Sequence, residues 1–264
     1  MMRWIGLSSL GVVVFLITLV VTVPAPQAYR LLGDQLPAQA WGLHGSLWDG
    51  EAAVVVVDGL RIDRLRWRLD GSALRSGRIA YQISGRLAEG EFSGHVATRT
   101  GAHIRLSDVR ANLGADSLVR MVGATDYPAT LGGTVDAYIR EADVEGERPT
   151  WIDGVVSWDN ASVSAFGESV ELGSFGVRLD TGPGGELRGD LQTTREGPLR
   201  ITGDVELLLD GTATGRASVI TTEQAGENLL QGMMALGIPD PEQELDIRFE
   251  GNINDPMGFQ GYLE

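Results

Sequence analysis

The chain has 264 residues, a formal net charge of −15 and a pI near 4.6, and nucleic acids and anionic membrane surfaces both repel a protein of this charge. Cysteine is absent, which excludes thiol nucleophiles and thiolate metal sites and leaves burial and backbone pairing to hold the fold. All 21 basic residues are arginine, which excludes a phosphate-loop lysine and Schiff-base chemistry.

The first predicted element is a membrane-spanning helix. Residues 4–23 carry no charge, and about 20 apolar residues are enough for a helix to cross roughly 30 Å of hydrocarbon. Arg3 precedes this segment, so the positive-inside rule keeps the N-terminus in the cytoplasm and exports the rest of the chain. We therefore predict a cytoplasmic stub at residues 1–3 and a single transmembrane helix at residues 4–23, whose anchor residues include Trp4, Leu10, Phe15, Leu19 and Val23.

A removable signal peptide is the alternative, because it also combines a positive end with an apolar core. The apolar core of this chain is longer than the roughly 7 to 15 residues of a signal peptide. No Ala-x-Ala cleavage site follows it, and two prolines stiffen the one candidate site, Val23-Pro24-Ala25. The length and the missing site favour a retained anchor and a periplasmic body.

The body of the chain has the pattern of a β protein. After a juxtamembrane linker or helix at residues 24–40, apolar and polar residues alternate, as is typical of strands. Gly-x-Leu and Gly-x-Val triplets recur in two stretches, and each stretch holds one helical segment, at residues 116–122 and 223–236. We predict a mainly β protein with two similar curved antiparallel sheet halves, each with a short helix, at residues 41–148 and 149–264.

One hairpin can be placed in detail. A run of valines ends at Asp58-Gly59, which is a two-residue turn signal. In the strand that follows, the apolar alternation slips by one residue at Asp63-Arg64 and resumes at Leu65. This slip predicts a β-bulge.

A second hairpin is predicted further along the chain. If residues 195–197 form a three-residue turn, Gly189 lies opposite Gly203 and Leu191 lies opposite Ile201. Glycines paired across two strands favour a strongly coiled sheet, because they remove side chains from the middle of the strands.

Large apolar residues indicate where the core lies. Trp67 and Trp158 each sit inside a strand pattern and are expected in the core. A further group at helical spacing is either a docking face or, as the spacing favours, a cover for one end of the sheet core. This group consists of Leu229, Leu230, Met233 and Met234.

A stripe of arginines is the candidate partner-binding surface. Arg64, Arg66 and Arg68 point outward on the strand whose inward residues are apolar. A solvated sheet face explains such a pattern by itself. The alternative is contact with an acidic protein partner or with headgroups near the anchor, because arginine is favoured at interfaces.

Metal binding and catalysis find little support in the sequence. His95 and His103 are predicted to share an outward face, but no third ligand accompanies them and Arg105 would repel a cation, so two solvated histidines are favoured. Carboxylates are numerous without a distinctive setting, and neither a Gly-x-Ser-x-Gly nor a His-Glu-x-x-His motif occurs. We predict no enzyme activity, no metal and no cofactor.

Several motifs, in this order and behind an N-terminal anchor, give the chain a family resemblance. They are residues 45–52 (Gly-Ser-Leu-Trp-Asp-Gly-Glu-Ala), 65–69 (Leu-Arg-Trp-Arg-Leu), 154–161 (Gly-Val-Val-Ser-Trp-Asp-Asn-Ala) and 234–240 (Met-Ala-Leu-Gly-Ile-Pro-Asp). The chain resembles the type II secretion system protein N family over most of its length. The resemblance implies a single-pass protein of the bacterial inner membrane that scaffolds or stabilises the periplasmic side of the secretion machinery by contacts with its other proteins. It implies no catalysis and brings no established binding residues.

The Gly-x-Leu repetition is also similar to that of AsmA-type periplasmic proteins, whose long sheets form troughs. That similarity implies an alternative function, the handling of lipid in an apolar β trough. Mid-strand glycines such as Gly85 and Gly94 would let the sheet curl around such a ligand. Two short repeats are too few to span the envelope, so transport by this chain alone is disfavoured.

Overall fold

The computed structural model describes residues 24–32, 38–57, 60–75, 77–98, 103–121, 129–145, 148–165, 168–208, 211–235, 238, 240–252 and 255–263. The predicted transmembrane helix at residues 4–23 lies outside the described residues, together with Trp4, Leu10, Phe15, Leu19 and Val23. Within the described ranges, no helix combines the length and the apolar character that a membrane crossing requires.

The chain forms two compact units, Met1–Ala88 and Glu89–Glu264. In the first unit each strand pairs antiparallel with the next strand in sequence. Its elements are α1 (Ala25–Leu32), β1 (Ala38–Gly45), β2 (Asp49–Val57), β3 (Leu60–Leu69), α2 (Gly71–Leu74) and β4 (Ile79–Leu87). Helix α1 lies within the predicted linker, and β1 begins three residues before the predicted start of the β body at residue 41.

The second unit follows the same rule of antiparallel pairing between consecutive strands. Its elements are β5 (Gly90–Thr98), β6 (His103–Gly114), α3 (Ala115–Met121), β7 (Ala129–Glu145), β8 (Arg148–Ala165), β9 (Glu168–Thr181), β10 (Leu187–Arg195), β11 (Leu199–Leu207), β12 (Thr212–Thr221), α4 (Glu227–Ala235), β13 (Leu245–Asn252) and β14 (Asp255–Leu263). The prediction of a mainly β protein with antiparallel pairing and few short helices is confirmed.

The two units differ in size. The repeat boundary predicted at residues 148 and 149 falls inside the second unit, where β7 and β8 pair from Ala129 opposite Ala165 to Glu145 opposite Arg148. The internal duplication stays a prediction about the sequence.

The hairpin of β2 and β3 forms as predicted. Val57 pairs with Leu60, so two residues connect the strands. Opposite β4, the register of β3 shifts between Asp63 and Arg66, and Arg64 has a positive φ of 52°. The predicted bulge is confirmed, and it keeps the apolar residues on one face of β3 on both sides of the slip.

The predicted register of β10 and β11 is wrong by two residues. Gly189 lies opposite Val205 and Gly203 lies opposite Leu191, so these two glycines are not paired. The connection between the strands, residues 196–198, has three residues like the predicted turn at 195–197 but lies one residue further along the chain, and the hydroxyl of Thr222 donates to the carbonyl oxygen of Gly197 within it. A shift of two residues preserves the face of each side chain, so the apolar face is still continuous.

The core of the second unit lies where α4 covers the sheet. Its buried residues are Ala161, Phe175, Leu199, Leu229 and Met233, and Trp158 packs against them. Met234 is 49% exposed, because it points about 100° away from Met233 around the helix axis. The prediction that this helix covers the core is confirmed for Leu229 and Met233.

Helix α4 is shorter than predicted. It begins at Glu227, whereas the sequence predicts a start at residue 223. The side chain of Thr222 accepts a hydrogen bond from the backbone N–H of Gln224 at 3.2 Å, which holds the chain in a turn just before the helix. Helix α3 at Ala115–Met121 agrees with the predicted segment to within one residue.

Candidate functional site

The candidate surface is the polar face of β2, β3 and β4 in the first unit. The alternation of β3 exposes Arg64, Arg66 and Arg68, while Trp67 points to the half-buried face. The predicted outward stripe of three arginines is therefore present on the surface. Its role in partner binding stays a prediction.

Two arginines of the stripe are paired with carboxylates. The Arg66 Nε donates to Glu51 Oε2 at 3.3 Å, and the Arg68 Nε donates to Asp49 Oδ2 at 3.1 Å. Each pair is directly cross-strand, because Glu51 lies opposite Arg66 and Asp49 lies opposite Arg68. Neither pair was predicted, although the two-residue connection at residues 58–59 already fixes this register.

Arg64 differs from its two neighbours. It is exposed on the bulge, and no carboxylate oxygen of a described residue lies within 4 Å of it. Three arginines and two carboxylates leave a net charge of +1 on this group of five side chains. A partner would therefore meet one free guanidinium beside two that already have carboxylate partners.

A groove of about 540 Å³ runs over this polar face. Its lining includes His44 of β1, the two ion pairs of β2 and β3, and Gln82 and Ser84 of β4. All of these groups are exposed or half-buried and can exchange hydrogen bonds with a polar partner. The arrangement is that of a polar contact surface with alternating charges.

Trp67 supports the strands that carry the stripe. Its indole N–H donates to the carbonyl oxygen of Ser46 at 3.1 Å, across from β3 to the turn after β1. Its ring lies against Gly50, where an added Cβ would be 2.6 Å from Trp67 Cζ2. Glycine at position 50 is therefore required for the ring to reach the sheet.

The two histidines of the sequence-based metal candidate occupy different environments. His103 lies 3.5 Å from Asp143, which accepts two hydrogen bonds from Arg105 at 2.8 and 2.9 Å. The Arg105 guanidinium holds the pKa of the Asp143 carboxyl below its usual range. His95 is half-buried and its Nδ1 has no hydrogen-bond partner among the described residues, which corrects the expectation of a solvated side chain. The pairing of β5 with β6 shifts its register between Ser93 and His95, directly beside this side chain.

Within the described part of the chain, no three histidine, aspartate or glutamate side chains are grouped so that they could hold a metal ion. In the groove, the carboxylates of Glu51 and Asp49 pair instead with Arg66 and Arg68. The surface is thus suited to contact and hydrogen bonding.

Comparisons with known proteins point to one family. The family model described as "Type II secretion system (T2SS), protein N" matches residues 37–248. A curated protein of Aeromonas hydrophila named "Type II secretion system protein N" is 26% identical over 258 residues, which cover 94% of this chain and 98% of that protein. No solved structure gives a significant match.

Proposed function

The chain belongs to the type II secretion system protein N family, and from this premise we propose that it is an accessory component that scaffolds or stabilises the periplasmic side of a bacterial type II secretion system through protein contacts. The observation that carries the proposal is the family match, which extends over both compact units. A β-sheet body with exposed polar faces and cross-strand ion pairs fits a protein that acts by binding other proteins.

We further propose that residues 4–23 anchor the protein in the inner membrane, with the N-terminus in the cytoplasm. The support is the uncharged apolar sequence and the preceding Arg3. The mature protein should keep Met1 or Met2 and resist extraction with alkaline carbonate. N-terminal sequencing that starts near Ala25 or Pro26 would instead show a cleaved signal peptide.

We also propose that the protein has no catalytic activity of its own. The carboxylates of the groove are exposed and paired with arginines, whereas catalytic carboxylate pairs need an apolar pocket that separates their pKa values. This proposal agrees with the lack of known nucleophile and metalloprotease motifs in the sequence.

The arginine stripe is the proposed contact surface for an acidic partner in the secretion machinery. Changing Arg64, Arg66 and Arg68 together to Gln should reduce the recovery of other secretion proteins with the affinity-purified full chain. Surface changes of this kind usually alter stability by no more than about 0.5 kcal/mol each, so the fold should remain intact. Three exposed arginines of the second unit provide a matched control with the same change in charge: Arg188, Arg200 and Arg216.

The control variant should recover the partners at the wild-type level. If the stripe variant also does so, while its circular dichroism spectrum is unchanged, the stripe is a solvated face and the contact lies elsewhere. The lipid-handling alternative gains no support from the comparisons, since both matches are named as secretion proteins.

A further inference from the structure

Two apolar side chains are exposed side by side on the polar face of the second unit. Tyr138 of β7 is 39% exposed and Val155 of β8 is 44% exposed. The two residues are direct cross-strand partners. On this face the neighbouring positions are charged or polar, so the pair forms a small apolar patch that the fold leaves uncovered.

An arginine lies at each end of this patch. Arg110 of β6 is opposite Tyr138, and Arg178 of β9 is opposite Val155, so one row crosses four adjacent strands. The Arg110 guanidinium lies 5.4 Å from the centroid of the Tyr138 ring, and the Tyr138 hydroxyl donates to Asp108 Oδ1 at 3.3 Å. These two contacts hold the ring in place at the surface.

The two flanking arginines differ from others of the same unit. Arg140, Arg188 and Arg216 have carboxylate partners at 2.7, 2.5 and 3.2 Å. Arg110 and Arg178 are exposed, and neither has a carboxylate oxygen within 4 Å among the residues that the structure describes. Carboxylates lie nearby, since Asp190 of β10 is directly opposite Arg178 and Asp108 accepts from Tyr138, but neither is within 4 Å of these two guanidinium groups, which are therefore available to a negative group of a partner.

We propose that the row Arg110, Tyr138, Val155 and Arg178 is a docking site for an extended acidic segment of another protein chain. An apolar residue of the segment covers Tyr138 and Val155, and a carboxylate on each side pairs with Arg110 and Arg178. Arginine and tyrosine around an apolar centre are the residue types that carry most of the binding energy in protein interfaces. An anionic membrane is disfavoured as the occupant, because its continuous negative surface would also meet the acidic side chains around the row, whereas the segment brings two carboxylates that each meet an arginine.

The sheet geometry sets the spacing of the two carboxylates. Three strand spacings separate Arg110 from Arg178, which amounts to ~14 Å. An extended chain advances roughly 3.3 Å per residue, so the acidic residues of the segment are about four positions apart. The proposal needs only a partner of this chemistry and stands apart from the secretion role.

Site-specific photocrosslinking of the full chain in its own cells tests the proposal. Tyr138 is replaced by p-benzoylphenylalanine, which keeps an aromatic ring in the row, and the crosslinked peptide is identified by mass spectrometry. The expected adduct is a protein segment with two carboxylates about four residues apart around an apolar residue. In this background Arg178→Glu should lower the adduct yield by about tenfold, because it replaces attraction with repulsion.

Arg200→Glu is the matched control, since Arg200 is also an exposed strand arginine of the second unit without a described carboxylate within 4 Å. It should leave the adduct yield unchanged. The proposal is overturned by the absence of a protein adduct, by an adduct with lipid, by a crosslinked segment without acidic residues, or by equal yields in the two variants. A second copy of this chain as the adduct supports it only if the crosslinked segment has the stated spacing. If the chain with the photocrosslinker forms this adduct but the wild-type chain does not copurify with secretion proteins, the proposed function fails and the docking site stands.

Discussion

Trp158 donates its indole N–H to the carbonyl oxygen of Gly132 at 2.9 Å and thereby joins β8 to β7 where their pairing is irregular. Gly133 next to this carbonyl has a φ of 93°. Trp67 makes the corresponding bond to Ser46 at 3.1 Å, next to Gly45 with a φ of 81°. In both units a strand tryptophan thus satisfies a carbonyl beside a left-handed glycine, where the regular ladder is interrupted.

Replacing Trp158 by Phe should destabilise the protein. The change removes the only donor of the indole ring, leaves the Gly132 carbonyl without this bond, and reduces packing against Phe175, whose ring centroid is 6.3 Å away. The expected loss is about 1 to 3 kcal/mol in the free energy of unfolding, measured by urea denaturation.

Trp151→Phe is the control for this variant. Trp151 is also a half-buried strand tryptophan, and its indole N–H has no partner among the residues described. Its substitution should cost less than that of Trp158. Equal losses for the two variants would mean that ring size, and not the bond to Gly132, determines the effect.

Two glycines should respond in opposite directions to alanine. A Cβ on Gly203 would clash with the carbonyl oxygen of Arg216 and lie 2.9 Å from Ala217 Cα, both in the backbone of the adjacent strand. A Cβ on Gly232 of α4 meets nothing within 4 Å. Gly203→Ala should therefore lower the free energy of unfolding by about 1 to 3 kcal/mol, while Gly232→Ala should raise it by roughly 0.5 to 1 kcal/mol.

Thermal denaturation of both variants beside the wild type checks this prediction. A wild-type melting temperature for Gly203→Ala would show that β11 and β12 can separate without cost at this point. The close approach of β12 would then not be the reason that position 203 is glycine.

Local patterns in the sequence were sufficient for the hairpin of β2 and β3. The bulge at Arg64 appears as a slip in the apolar alternation, and the turn at residues 58–59 has a strong two-residue signal. The register of β10 and β11 was not accessible in this way, because turns at residues 195–197 and 196–198 keep the same apolar face, and the hydrogen bond to Gly197 in the observed connection comes from Thr222, outside the hairpin. A contact between residues 25 positions apart has no local signature.

The arginine stripe and the row from Arg110 to Arg178 also differ in how far the sequence alone predicts them. The outward direction of the arginine stripe follows from alternation within β3 alone. The row from Arg110 to Arg178 depends on the registers of three successive strand pairs, and bulges shift these registers. Asp108, for example, has a positive φ of 50° where the apolar alternation slips between Leu106 and Val109, a signal that was not used to predict a bulge there.

The inner face of α4 should account for much of the stability of the second unit. Met233 is buried in the core and Met234 is 49% exposed on the same helix. Met233→Ala should cost about 2 to 5 kcal/mol, because it leaves a cavity against the sheet, whereas Met234→Ala should change stability by less than about 0.5 kcal/mol. Urea denaturation of the two variants gives the comparison, and similar losses would show that the helix does not pack through Met233.

Protonation of Asp143 should destabilise the protein in acid. Its side chain is 17% exposed, and hydrogen bonds from Arg105, supported by His103, lower its pKa from an ordinary value of 3.8. The unfolded chain then binds the proton at a higher pH than the folded chain does. The stabilisation is therefore complete above the ordinary pKa and is lost as the pH falls through the lower pKa of the folded state.

Two variants isolate this contribution. In Asp143→Asn the carboxyl is absent, and in Arg105→Gln the cause of the lowered pKa is removed. Both variants should be less stable than the wild type at neutral pH. The difference should shrink as the pH is lowered from about 6 to about 3 in urea denaturation series, because the wild type loses the same interaction on protonation. Parallel pH profiles for all three proteins would contradict the assignment, since the slope of the wild type would then come from other carboxylates.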